Sequence, residues 1–137
     1  MPVERKNHFP DTIYRRVVGG HLLYSPVVTV KGGTMVFVSG IVPRDKDNNI
    51  VGKGDMAAQI RKVGDNLRLS LEAVGASLAD VVRTVTYTTE IDAFFANVDA
   101  RQEYFGVALP TSSTIGVARL SHPDFMVEVE AFAVIDA

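Results

Sequence analysis

Cysteine is absent from the 137 residues. Disulfide frameworks, Cys-ligated zinc and thiol catalysis are excluded with it, and a reducing compartment is allowed. No stretch approaches the ~18 uninterrupted apolar residues at which a membrane-spanning helix is read. Residues 1–11 are polar, with Arg5, Lys6 and His8, and lack the apolar core of a signal peptide. Excess positive charge is missing too: 14 Lys and Arg stand against 16 Asp and Glu, a net charge of −2. A domain that neutralises nucleic-acid phosphates carries a basic face, so nucleic acid is not the expected partner. There is no phosphate-cradling glycine loop, since Gly32-Gly33 has no third glycine and no Lys-Ser/Thr after it. His8, His21 and His122 have no helical i, i+4 partner, so no metal site is expected. A Gly-x-Ser-x-Gly elbow is lacking as well. What is present is a globular balance, 47% hydrophobic and 22% charged, in a chain long enough for its own core. The expectation is a single cytoplasmic domain over 1–137 with no metal, cofactor, nucleic acid or membrane partner.

The hydrophobic pattern then divides the chain. From Val17 to Gly40 it reads as strands: Val27 to Val30 is β-branched, Lys31-Gly32-Gly33 is a turn, and an apolar run follows over 34–39. Met56, Ile60, Val63, Leu67, Leu71 and Val74 recur at steps of three or four, which predicts a helix over 55–74. Asp55 suits its N-cap and Gly75 its C′ position. Gly64 inside it costs about 1 kcal/mol against Ala, so either packing is close there or the helix is weakened. Residues 81–89 alternate as a strand, Val81, Arg83, Val85 and Tyr87 opposite Val82, Thr84, Thr86 and Thr88. A second helix is predicted from Asp92 to just before Gly106, with Phe94, Phe95, Val98 and Phe105 on its apolar side. Strands over 113–118 and 126–135 flank the turn Ser121-His122-Pro123-Asp124. Residues 1–16 are expected to be an edge or less ordered segment. The order implies an α+β layer with two helices on one face of a mixed sheet. The other face keeps apolar and Thr side chains, and a homo-oligomer would bury them.

An ordered set of segments carries a resemblance. Val36-Phe37-Val38-Ser39-Gly40, Asp55-Met56-Ala57-Ala58-Gln59-Ile60-Arg61 and Asn66-Leu67 come first. Leu71-Glu72-Ala73-Val74-Gly75-Ala76-Ser77-Leu78-Ala79-Asp80-Val81-Val82 continues it. Gln102-Glu103-Tyr104-Phe105-Gly106, Val117-Ala118-Arg119-Leu120 and Val127-Glu128-Val129-Glu130-Ala131 complete it. Together, from Tyr24 to Val134, they resemble the RidA (YjgF) family. The resemblance implies a chorismate-mutase-like α+β fold, a homotrimer and small-molecule pockets in the clefts between subunits. It also implies hydrolysis of reactive enamines and imines, such as 2-aminoacrylate, to the 2-oxo acid and ammonia without metal or organic cofactor.

The same resemblance assigns site residues one position at a time. Glu128 falls on the carboxylate that positions the attacking water, although its alternation with Val127 and Val129 also fits any half-exposed strand. Tyr24 falls on the pocket tyrosine, or is a core aromatic at a strand start; Gly40 falls on a backbone position lining the pocket, or merely ends a strand. Three positions depart from the family pattern: Pro26 and Ile41 each replace a glutamine, and Ser112 stands where the family has the arginine that grips the substrate carboxylate. A serine cannot reproduce a guanidinium fork. Ser112, Ser113 and Thr114 then offer a neutral polar lining, and small carboxylates such as 2-aminoacrylate are expected to be poor substrates unless Ser112→Arg restores the fork. Arg44, then Arg119, are the first arginines considered as replacements. Two readings stay open: a C=N or enamine hydrolase tuned to a larger or less acidic substrate, and a non-catalytic trimer that binds a small ligand or partner. An older label for the family, endoribonuclease, is disfavoured by the acid-leaning charge.

Overall fold

The structure, a computed structural model, describes residues 2–137. Its centre is a four-stranded sheet in the order β5 (Thr34–Ile41), β8 (Val127–Ile135), β6 (Val81–Thr88), β7 (Thr111–Gly116). β8 runs antiparallel to both β5 and β6, while β6 and β7 are parallel. A parallel pair needs a crossover, and α2 (Ile91–Ala96) and α3 (Val98–Phe105) supply it. Ahead of the sheet, β1 (Glu4–His8) pairs antiparallel with β4 (Val27–Lys31), and β2 (Val17–Val18) with β3 (His21–Leu22). β1 reads Glu-Arg-Lys-Asn-His, a run without apolar alternation, so nothing in the pattern marks it as a strand.

Helix α1 (Met56–Glu72) begins as the sequence predicts, with the Asp55 carboxylate accepting from the Ala58 N–H at 3.1 Å. Met56, Ile60, Val63, Leu67 and Leu71 are buried against Val127, Val129, Ala131 and Ala133 of β8. Val74, the last residue of the predicted stripe, is exposed because the helix ends at Glu72 and Gly75 turns the chain with φ 76°. Gly64 is a close-packing site: a Cβ there would collide with the ring of Tyr104, whose hydroxyl donates to Asp65 at 2.9 Å. Gly64→Ala is therefore expected to destabilise the fold by about 1–3 kcal/mol although alanine is the better helix former. Urea unfolding checks it, and a stabilised variant would mean that the Tyr104 ring yields freely.

The second predicted helix is two, so three helices rather than two pack on the sheet. The break is at Asn97, which leaves the helical region at φ −115°, ψ 34° while its side-chain amide donates to the Ala93 carbonyl at 2.7 Å. Asparagine offers the backbone this local alternative, and here it wins over helix continuation. In β6 the buried face is the threonine one: Thr84, Thr86 and Thr88 point to the helices, and a bulge between Val81 and Arg83 lets Val81 join them. The uncovered face carries Met35, Phe37, Tyr87, Ile115 and Phe132, with Phe37 68% exposed. Among the described residues, no helix is long and apolar enough to cross a membrane.

Candidate active site

Glu128 leaves the uncovered face near one end of β8, paired with Tyr87 across the ladder. Its space is made by Gly40: a Cβ at that glycine would stand 2.9 Å from both Cδ and Oε2 of Glu128. The glycine is thus a steric requirement of the carboxylate rather than a strand terminator. No described side chain or backbone group donates a hydrogen bond to Glu128, whereas its neighbour Glu130 accepts from the Tyr87 hydroxyl at 3.2 Å. Burial first, and the nearby charge of Glu130 second, hold the Glu128 carboxyl above the ordinary carboxylate range. An unpaired carboxylate with a raised pKa is suited to accept a proton from water.

A second group assembles on the helix side of the sheet, around a cavity of about 340 Å³. Tyr24 reaches it because the next residue, Ser25, is buried and its N–H donates to the Pro110 carbonyl at 3.1 Å, tying the segment to the start of β7. Ser112 and Thr114, paired with Thr84 and Thr86, face the same cavity. Leu23, Ile91 and Phe95 give it an apolar wall, with the Arg16 guanidinium stacked 4.6 Å over the Phe95 ring. The lining is not neutral, as the sequence had suggested. Arg101 of α3 enters it, donating to the Ser112 hydroxyl at 3.4 Å and to Gln102 Oε1 at 2.6 Å. Gln102 is oriented by its own amide N–H₂, which donates to the Leu22 carbonyl at 3.1 Å. Arg101 is 2% exposed, and burial pushes its guanidinium down to about 10. It remains a cation at neutral pH.

The remaining sequence candidates fall elsewhere. Ser113 points to the uncovered face, where Arg83 donates to its hydroxyl at 3.2 Å. Arg44 does not reach Ser112 within the chain. It lines a different cavity with Gly40 and Ile41, its guanidinium 5.0 Å over the Phe125 ring and donating to Asn48 at 2.9 Å. Arg119 is exposed. Arg101, which sequence reasoning missed, did leave a signal: Phe94, Val98, Arg101 and Phe105 are spaced four, three and four, so a cation sits on the apolar stripe of the helix predicted over this segment.

Within one chain the two groups are apart. Ser112 pairs with Thr84 and that residue with Ala131; Glu128 pairs with Tyr87 and that residue with Ile115. An odd offset of three residues puts Ser112 and Glu128 on opposite faces, about 10 Å apart along the strands.

The family model described as Endoribonuclease L-PSP matches residues 21–135. A RutC family protein of Pyrococcus abyssi is 36% identical over 104 residues, covering 76% of this chain and 81% of that protein. A 2-iminobutanoate/2-iminopropanoate deaminase of Salmonella typhimurium is 35% identical over 106 residues, 74% of this chain and 80% of its own. Among solved structures, a protein of unknown function of the conserved Rid family, YyfB of Yersinia pestis, superposes with a TM-score of 0.81 at 30% identity, covering 96% of this chain and 98% of that one.

Proposed function

Because this chain belongs to the RidA (YjgF) family, we propose that it hydrolyses the C=N bond of an imine, or of the imine tautomer of an enamine, larger than 2-aminoacrylate. The observation that carries this reading is Glu128: a carboxylate with no internal partner, in a space that only a glycine at position 40 leaves open. Glu128 orients a water and takes its proton as the oxygen attacks the C=N carbon. The tetrahedral carbinolamine then collapses: the proton held by Glu128 passes to the nitrogen, the hydroxyl proton follows it as the C–N bond breaks and the C=O bond forms, and ammonia departs, leaving Glu128 ionised again. Tyr24 packs over the substrate and donates its hydroxyl. The similar deaminase of Salmonella typhimurium acts, by its name, on imines, among them 2-iminopropanoate, the tautomer of 2-aminoacrylate; it supports the C=N chemistry, and the preference for a larger substrate rests on Ser112.

Glu128 and Tyr24 serve one substrate only if two chains each supply one group, so the reading includes a homotrimer with its sites in the clefts. Met35, Phe37 and Ile115, exposed on the uncovered sheet face, support an interface there. Arg101 also changes the expectation for Ser112→Arg. A guanidinium at 112 would crowd the one already behind it, so the single substitution is not expected to improve turnover.

The assay follows imines released from leucine or alanine by an amino-acid oxidase. The protein should hasten the decay of the leucine-derived imine more than the alanine-derived one. Since the ionised carboxyl is the base, the rate is full above the raised pKa of Glu128 and lost as pH falls through it. The acidic limb should therefore lie above the ordinary carboxylate range. Decay no faster than in buffer, with product still bound, would favour the non-catalytic ligand-binding trimer.

A further inference from the structure

We propose that Arg101, reaching the cavity from α3 behind Ser112, is the anchor for a substrate carboxylate, so that the substrates are acids although the family's arginine position is a serine. The inference rests on the imine-hydrolase reading for the identity of the substrate but not for the existence of the anion site.

Arg101 is almost fully enclosed, and among the described residues no Asp or Glu carboxylate lies within 4.0 Å of it. The arginine ion pairs elsewhere in the chain show what is missing here: Arg61 meets Glu103 at 2.9 Å and Arg68 meets Glu72 at 3.2 Å, both at the surface where a partner is least needed. Arg101 instead has two neutral acceptors, the Gln102 amide oxygen and the Ser112 hydroxyl, the latter at a long 3.4 Å. Two neutral acceptors leave most of a guanidinium's five donors unused and its charge unbalanced. A buried charge without a counter-ion is costly to keep for packing alone, because an apolar residue of the same volume would serve better.

The surroundings specify the ligand. Arg101 lines the same cavity as Tyr24, Ser112 and Thr114, so the cation faces the proposed substrate and not a sealed core. Serine is short, and the guanidinium therefore lies recessed behind it instead of projecting from β7. A carboxylate must enter deeper to reach it, accepting from the fork and from the Ser112 hydroxyl. The apolar wall of Leu23, Ile91 and Phe95 suits the hydrocarbon part of such an acid.

The test uses the whole protein and the 2-oxo acid derived from leucine, with its methyl ester as the uncharged control, by calorimetry and thermal melting. Wild type should bind the acid over the ester. Arg101→Met should weaken the acid on the order of 10- to 100-fold and leave the ester unchanged. The acid should raise the melting temperature of wild type and not that of Arg101→Met. Ser112→Asp guards against a misfolded Arg101 variant: it places a carboxylate against the guanidinium, so it should melt higher than wild type and no longer bind the acid. Equal binding of acid and ester by wild type, or acid binding by either variant at wild-type affinity, overturns the proposal. Acid binding through Arg101 without turnover of any imine would leave it standing while removing the hydrolase reading. Hydrolysis of neutral imines without acid binding would do the reverse.

Discussion

Glu128→Gln is expected to lower imine hydrolysis on the order of 10²- to 10⁴-fold, the usual contribution of a positioned proton acceptor. The amide keeps the shape that Gly40 accommodates and removes only the ability to take a proton from water. Stability should move the other way or not at all. The native site disfavours the ionised form of Glu128 through burial and through Glu130, so at neutral pH its charge is a burden on the fold that the amide does not carry. A melting temperature at or above that of wild type, with activity lost, separates a catalytic carboxylate from one that merely braces β8. Retained activity would assign the chemistry to another group.

The largest expected loss of stability comes from a residue with no part in the chemistry. Gln59 is fully buried on α1, donating to the Asp124 carbonyl at 2.8 Å and accepting from the Met126 N–H at 2.8 Å. One side chain thus satisfies both backbone groups where the chain turns into β8, two residues before Glu128. Gln59→Leu keeps the volume and strands both groups, which should cost about 2–4 kcal/mol. For a chain of this size that corresponds to about 5–15 °C in melting temperature. A shift under about 2 °C would mean that water or a relaxed loop replaces the amide. Activity should fall with stability, because the segment that aims Glu128 is the one released.

Much of this architecture was legible because periodicity and capping agree. The stripe from Met56 to Leu71 and the Asp55 cap define α1 closely, and strands β4 to β8 follow apolar alternation or β-branched runs. The misses have separate physical origins. β1 is held by backbone pairing and by side-chain contacts of Arg5 and Asn7, such as Arg5 to the Val81 carbonyl at 2.7 Å, none of which leaves an apolar pattern. The break at Asn97 depends on a local hydrogen bond that competes with the helix. In β6 the alternation was legible but left open which side meets the helices; it is the threonine side, because small, paired hydroxyls fit under the helices and leave Tyr87 to meet Glu130.

The candidate site was approached from its carboxylate and not from its cation. Glu128, Gly40, Tyr24 and Ser112 were all reached through the resemblance, but position-by-position transfer looks for an arginine where the family keeps one. The arginine here approaches from a helix instead of a strand, and only the anomaly of a charge on a buried stripe points to it. Whether Ser112 and Glu128 could meet was also beyond any reading of motifs, since it depends on the faces and register of β6, β7 and β8.

The central claim is that Arg101 of one chain and Glu128 of another complete each site, and mixed oligomers test it most directly. Arg101→Met and Glu128→Gln chains, each defective alone, are unfolded together and refolded in equal amounts. Random assembly into trimers leaves about a quarter of the clefts with both wild-type groups, so the mixture should recover about a quarter of wild-type activity. Activity no higher than the mean of the two variants alone would contradict a shared site.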